Sequence, residues 1–382
     1  MSRVRNLTVH LVLSLALASV SALAASDAEP EPTAKGEPKL QIHGYVTQAY
    51  AIADGLQVLG ITEDGTFDYR NVALQLRYDA TKRNSFLLQL SHSRTGESPF
   101  QELEKDVEID WAFFEHRFPT NTRVRVGRYP VPFGIYNQVR DVGTLLEFYR
   151  PPVSVYFEGA FTTERADGVV VSHSLGWADD AWSLDMEAYL GEWERLEAFA
   201  PFVFGVIEAE AKDGFGTQFW LNTPVQDLRF GLASQHYSLE NRGFFQADPQ
   251  GDPINVYLFS VEADLDRFAV HSEVYYLDLV VAGVPQIDFW AYYVQLSYRI
   301  SDHVQVSVQY ERSDSQVPDP AIPDISPFFE DLGASVRYSF TPHWVLRLEL
   351  HQARGSLFDE FPADFILPAE SDYGILSLSF SF

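Results

Sequence analysis

Between residues 130 and 167 the chain carries Arg140, Asp141, Glu147, Arg150, Glu158, Glu164, Arg165 and Asp167. A second charged set sits on segments that alternate polar and apolar residues: Arg77, Glu108, Asp110, Arg123, Arg125, Asp185, Glu187, Glu273, Arg337, Arg347 and Glu349. Both signs occur in both sets. Such residues can attract or repel a passing solute and set a transverse field across a narrow opening; selection of that kind needs charge and diameter, not bond chemistry. The same arginines and acids could equally pair with one another and brace a wall.

Bond chemistry has little support. The chain has no Gly-x-Ser-x-Gly and no His-Glu-x-x-His, so neither the hydrolase elbow nor the helical zinc pair is present. His43, His92, His116, His271 and His351 stand singly in alternating segments, where a polar lining role is the ordinary one. Cys is 0, which removes thiolate metal sites, disulfides and Cys nucleophiles. No Asp-x-Asp-x-Asp-Gly loop appears, so no metal site and no cofactor are expected, and no catalytic residue is assigned.

The elements that must position these charges are strands. In Asn71–Tyr78, Val72, Leu74, Leu76 and Tyr78 face one way, and Asn71, Gln75 and Arg77 the other. Val304, Val306, Val308 and Tyr310 oppose Gln305, Ser307 and Gln309, and Trp344, Leu346, Leu348 and Leu350 oppose Arg347, Glu349 and His351. A period of two sorts these residues onto two faces; a helix would scatter them. Sixteen such segments are expected, at about 40–53, 70–78, 85–93, 107–117, 123–129, 168–174, 182–190, 214–222, 228–237, 254–263, 268–277, 289–298, 304–313, 331–338, 344–354 and 372–382. Seven connections are short and eight are long, in alternation, and most segments match the length of a tilted membrane strand. The expected fold is all-β: a transmembrane antiparallel barrel of about 16 strands, with long external loops and short periplasmic turns. A soluble sandwich or propeller is the rival, but neither favours strict short–long alternation.

Arg3 and Arg5, an apolar run over 9–20 and Ala22-Leu23-Ala24 read as a signal peptide over 1–24. Residues 25–39 read as a disordered acidic, Pro-rich lead-in, and 40–382 as the barrel, which places the protein in the cell outer membrane. Lys+Arg 27 against Asp+Glu 54 gives a net charge of −27. That excess of acid excludes a nucleic-acid partner, which requires a basic face. Loops 191–213 and 355–371 are acidic; they either bridge to outer-membrane lipid through divalent cations or keep the surface soluble. Tyr78, Phe118, Trp177, Trp182, Tyr298, Phe340, Trp344 and Phe382 gather where strands meet short turns, as an interfacial girdle would.

The segment 124–141, Val-Arg-Val-Gly-Arg-Tyr-Pro-Val-Pro-Phe-Gly-Ile-Tyr-Asn-Gln-Val-Arg-Asp, resembles the strand-to-loop segment of bacterial outer-membrane porins similar to the phosphate-selective group. The matching positions are Gly127, Arg128, Pro132, Phe133 and Gly134. The resemblance implies that loop 130–167 folds into the lumen and narrows it, with Arg140, Asp141, Glu147, Arg150 and Arg165 at the constriction. Arg77, Arg123, Arg125, Arg337 and Arg347 would then line the lumen wall. It further implies passive diffusion of small hydrophilic solutes or ions, no enzymatic activity and a homotrimer. The chain departs from the group in having no dense Lys ladder. A long external loop, a non-conducting structural or adhesin-type barrel, and a barrel-embedded enzyme are the alternatives.

Overall fold

The computed structural model describes residues 38–382 apart from 103–105, 158–162, 180, 201–204, 242–251, 280–286, 317–325, 357, 361 and 363–366. The expected leader 1–24 and the lead-in to residue 37 lie outside the described residues.

Sixteen strands close on themselves. They are β1 (Lys39–Gly55), β2 (Thr66–Asp79), β3 (Asn84–Thr95), β4 (Glu108–Arg117), β5 (Thr122–Pro130), β6 (Arg165–Trp177), β7 (Trp182–Ala200), β8 (Gly205–Asn222), β9 (Leu228–Asn241), β10 (Asp252–Leu265), β11 (Phe268–Leu279), β12 (Ile287–Arg299), β13 (Val304–Gln316), β14 (Phe329–Thr341), β15 (Trp344–Gly355) and β16 (Ala369–Ser381). Every neighbour is antiparallel, and β1 closes the ring against β16, with Tyr45 opposite Ser381 and Gly55 opposite Ser371. Closure leaves no strand edge unpaired, the condition for placing a sheet in lipid.

The period of two fixes the facing. Leu348 is 50% exposed while its neighbours Arg347 and Glu349 are 0% and 1% exposed. Leu376 and Leu378 alternate in the same way with Ser377 and Ser379. Leu74, Val308, Val336, Leu348 and Leu376 form an outer apolar belt. Tyr78, Trp177, Phe340, Trp344 and Phe382 are exposed at its short-turn rim, where amphipathic rings meet headgroups.

Three expectations require correction. Residues 191–213 are not a loop: β7 and β8 continue as a paired hairpin to Ala200 opposite Gly205. Glu192, Glu194, Glu197, Glu208, Glu210 and Asp213 therefore lie on strands. A ladder needs only backbone partners, so it can outrun the apolar belt that the sequence pattern measures. The connection 130–167 is shorter than expected, because β6 begins at Arg165 and takes Arg165 and Asp167 out of the loop. Glu370 belongs to β16 rather than to the loop before it.

Inside the barrel the lining is not uniformly polar. Val170, Tyr189, Tyr237, Ile254, Val256, Leu258, Tyr275, Leu277, Ala291 and Tyr293 are buried on the inner face of β6–β12 and pack as one cluster. The described residues 131–157, 163 and 164, here termed the inner loop, supply Phe133, Tyr136, Leu146, Val155 and Tyr156 to the same cluster; Glu158 lies outside the described residues.

Candidate functional site

The inner loop leaves β5 through a backbone that only particular residues tolerate. Gly127 has φ +125, and a Cβ there would run into the Ala112 carbonyl. Gly134 has φ +68, and a Cβ would strike Tyr156 and Glu273. Both positions lie where side chains are strained as well as crowded. Between them Phe133 is fully buried, edge-on to Tyr275 with centroids 6.4 Å apart. Arg128 makes a two-pronged ion pair with Asp167 on β6 (2.7 Å and 3.0 Å), on the face of exposed Val126. The Gly-Arg and Pro-Phe-Gly residues thus build the loop's exit and seat.

From there the loop crosses the lumen and is held by β2, β11 and β13–β16. The Ile135 amide donates to Glu273 Oε1 on β11 (3.0 Å), and Tyr156 donates its phenol proton to Glu273 Oε2. Arg347 on β15 donates to the carbonyls of Gly143 (2.7 Å) and Leu146 (2.6 Å). Arg337 on β14 donates to the Thr144 carbonyl (2.7 Å), and Ser335 to that of Glu147 (2.9 Å). The single-turn helix α1 (Val153–Tyr156) presents the Ser154 amide to Glu311 Oε2 on β13 (2.6 Å). Thr144 donates to Ser381 on β16 (3.2 Å), and Arg150 reaches the Tyr69 hydroxyl on β2.

Among the described residues, clefts lie between the loop and the wall of β1–β4. One is lined by Asn71 and Thr95 from the wall, facing Arg140, Asp141, Tyr149 and Arg150. The other is lined by Tyr45, Asp110 and Trp111, facing Asn137, Arg140, Asp141 and Glu164. Arg140 is shared between them; it donates to the Tyr156 carbonyl (2.7 Å) and pairs with Glu164 (3.2 Å). Arg165 stands beside the second cleft on β6, pairing with Asp110 (3.1 Å) and with Glu108.

The fold therefore brings Arg140, Asp141, Arg150 and Arg165 together with Asp110 and Glu164. It separates Glu147, whose carboxylate lies against Ser307 (3.3 Å) and Gln305 on β13. Arg337 and Arg347 stand on the lumen wall beneath the loop and hold it. Arg77, Arg123 and Arg125 occupy the less covered wall of β2–β5. There Glu115 receives Arg117 (2.8 Å), Arg125 (3.0 Å) and Arg77 (3.6 Å), with Arg123 opposite Arg117 in the ladder. Asp79 is the second acid of the group, 2.9 Å from Arg77. Four arginines against two carboxylates make this wall basic toward the short-turn rim. On β7, two strands from β5, Asp185 and Glu187 accept from Ser174 (2.6 Å) and Ser172 (2.8 Å), and on β10 Glu262 pairs with Arg229 (2.5 Å). Tyr45, Asn71, Thr95, Trp111 and Tyr149 escaped the sequence reading, because nothing in a strand pattern tells which inward residues a crossing loop leaves uncovered.

No protein-family model matches the chain, and no curated protein does. Solved structures do match. An anion-selective porin from Comamonas acidovorans aligns at TM-score 0.60 with 10% identity, over 91% of this chain and 100% of that one. The outer membrane channel DcaP of Acinetobacter baumannii aligns at 0.60 with 11% identity, over 92% and 100%. Outer-membrane expressed OmpT of Vibrio cholerae aligns at 0.59 with 10% identity, over 92% and 100%. The fold is the porin fold.

Proposed function

We propose that this barrel is an outer-membrane channel through which small hydrophilic solutes or ions diffuse passively, narrowed by the inner loop. The observation that carries the reading is the path of the loop. It is fixed to β11 and β13–β15 by its own backbone groups, and the clefts it leaves along β1–β4 bear Arg140, Asp141, Arg150 and Asp110. A lumen of this strand number is wide enough for water unless something narrows it. Charges at a narrow, partly desolvated point act more strongly than charges at an open mouth.

The solutes we favour are anionic or of mixed charge. Arg140, Arg150 and Arg165 stand at the narrow section, and the basic group on β2–β5 lies toward the short-turn rim. The similarity to a porin described as anion-selective points the same way. Residues 1–24 serve as the export leader, and the outer leaflet contacts the apolar belt. A homotrimer is the assembly we propose; a related Vibrio cholerae structure is described as a trimer form. A non-conducting barrel is the second reading, favoured by the aromatic filling of the β6–β12 half.

The experiment is single-channel recording of the purified protein in planar bilayers under a salt gradient. We expect discrete conductance steps with a reversal potential of the anion-preferring sign. Excising the middle of the inner loop should enlarge the steps and flatten the ion preference. Sealed bilayers would establish the second reading, and unchanged steps after excision would remove the loop from the constriction.

A further inference from the structure

We propose that Glu262, Asp264 and His271 form a site for a divalent transition-metal cation of the zinc class, on the inner wall near the short-turn rim. Glu262 on β10 and His271 on β11 are directly opposite in the ladder, which places their Cβ atoms about 5 Å apart on one face. Asp264 is two residues on and points the same way. One ligand atom from each of the three lies within 4.8 Å of the others.

The spacing suits a small cation. Bonds of about 2.0 Å in tetrahedral geometry set neighbouring ligand atoms about 3.3 Å apart. Asp264 Oδ1 and His271 Nε2 stand 3.3 Å apart already. Glu262 has one oxygen to bring in. Arg229 donates twice to Glu262 Oε2 (2.9 Å and 2.5 Å), which leaves Oε1 as the ligand atom. Arg229 is itself held aside over the Trp220 ring, 4.1 Å from the centroid.

The imidazole is oriented from outside the triad, as a metal-ligating histidine requires. His271 Nδ1 is 2.7 Å from the Tyr136 hydroxyl of the inner loop. The same phenol lies 3.2 Å from Gln295 Oε1, so the imidazole is fixed from its Nδ1 side. Nε2 is left facing Asp264 Oδ1 at 3.3 Å, the edge a cation would take in place of their hydrogen bond. One nitrogen and two carboxylates are the donor set of zinc, nickel or copper; calcium requires six or more oxygens. Asp264 is exposed, so the lumen supplies the entry path. Occupancy would polarise His271 and strengthen its bond to Tyr136, pinning the first leg of the inner loop.

The test is equilibrium dialysis of the detergent-folded barrel against Zn²⁺, with Co²⁺ as an optical probe of tetrahedral coordination. We expect one ion per chain, weakened at least tenfold by His271→Gln and by Asp264→Asn. Tyr136→Phe should weaken it about tenfold by loosening the imidazole. Arg229→Gln should tighten it severalfold, because a competing cation leaves Glu262; an ion-paired wall without a metal site would lose its pairing and gain no affinity. Should His271→Gln fail to fold, exposed Asp264→Asn gives the same readout. The site is refuted by absence of saturable binding below about 1 mM, by binding indifferent to both substitutions, or by equal affinity for Ca²⁺. Only the pinning of the loop rests on the channel reading. Stoichiometric Zn²⁺ binding by a barrel that does not conduct would sink that reading and leave the site standing.

Discussion

Replacing Arg347 with Met should release the inner loop without unfolding the barrel. Arg347 is fully buried, and its guanidinium donates to two loop carbonyls at 2.7 Å and 2.6 Å. Glu349 lies 3.9 Å away on the same strand. Bonds to a charged donor contribute about 1.5–3 kcal/mol each, so the pair holds the loop by about 3–6 kcal/mol. Methionine fills much the same space and donates nothing. In the docked state both carbonyls would be buried and unpartnered, whereas a released loop hydrates them in the lumen. The balance between docked and released loop should therefore move by a factor of more than one hundred even at the lower figure, since about 1.4 kcal/mol is tenfold. Strand pairing is untouched, so the global unfolding midpoint should shift little. Single-channel recording is the assay: Arg347→Met should add slow, large-amplitude flicker and a wider open level. Arg347→Lys, which can reach one carbonyl at a time, should fall between. A quiet Arg347→Met channel with wild-type conductance would refute the claim that this side chain clamps the loop.

The facing of β15 predicts that Leu348→Arg, on the apolar belt, costs about 2–4 kcal/mol, measured by reversible urea unfolding in lipid; an unchanged midpoint would mean the residue does not meet lipid. Converting Arg77 and Arg125 together to Gln should move the reversal potential toward cations, because Glu115 would keep only Arg117 within ion-pair distance; no movement would show that ions do not pass this wall. Burial pushes the Asp359 carboxyl up to about 7, where it accepts the Gly60 amide (2.5 Å) and ties the segment after β15 to the one after β1. The native state therefore holds a proton that the unfolded chain gives up near pH 4, so this latch is firmest below that point and loses the contribution as pH rises to 7. Hydrogen exchange at Gly60, corrected for intrinsic rate, should quicken about a hundredfold between pH 5 and pH 8 and lose that dependence in Asp359→Asn; equal pH dependence in both proteins would contradict it.

All sixteen strands were legible because lipid on one side and water on the other impose alternation on each of them. The inner loop was legible from its length and its prolines. Its seat was also written in the sequence, in a form that looked like noise. Val256-Tyr257-Leu258-Phe259 and Tyr275-Tyr276-Leu277 are apolar on both faces, because lipid covers one side and the loop the other. Loss of alternation on neighbouring strands is thus the mark of something docked inside. The burial of Arg347 could not be read, because it depends on the path of a segment some two hundred residues away in the chain. The β7–β8 hairpin was cut short for a different reason: alternation reports the thickness of the apolar belt, and pairing ignores it. The metal-capable triad escaped because Glu262 and His271 meet only through the register of two strands.

The loop's bonds also constrain how the barrel comes into being. Gly143 lies so close to both sides of the β1–β16 junction that a Cβ there would collide with Thr47 and Ser379, and Thr144 bonds Ser381. The first and last strands of the chain therefore meet over a segment from its middle. Docked there, the loop staples the two ends of the chain across their junction, adding contacts that the β1–β16 ladder alone does not make. A mutation that weakens the loop's seat would then act twice, once on traffic through the barrel and once on the strength of the seam that closes it.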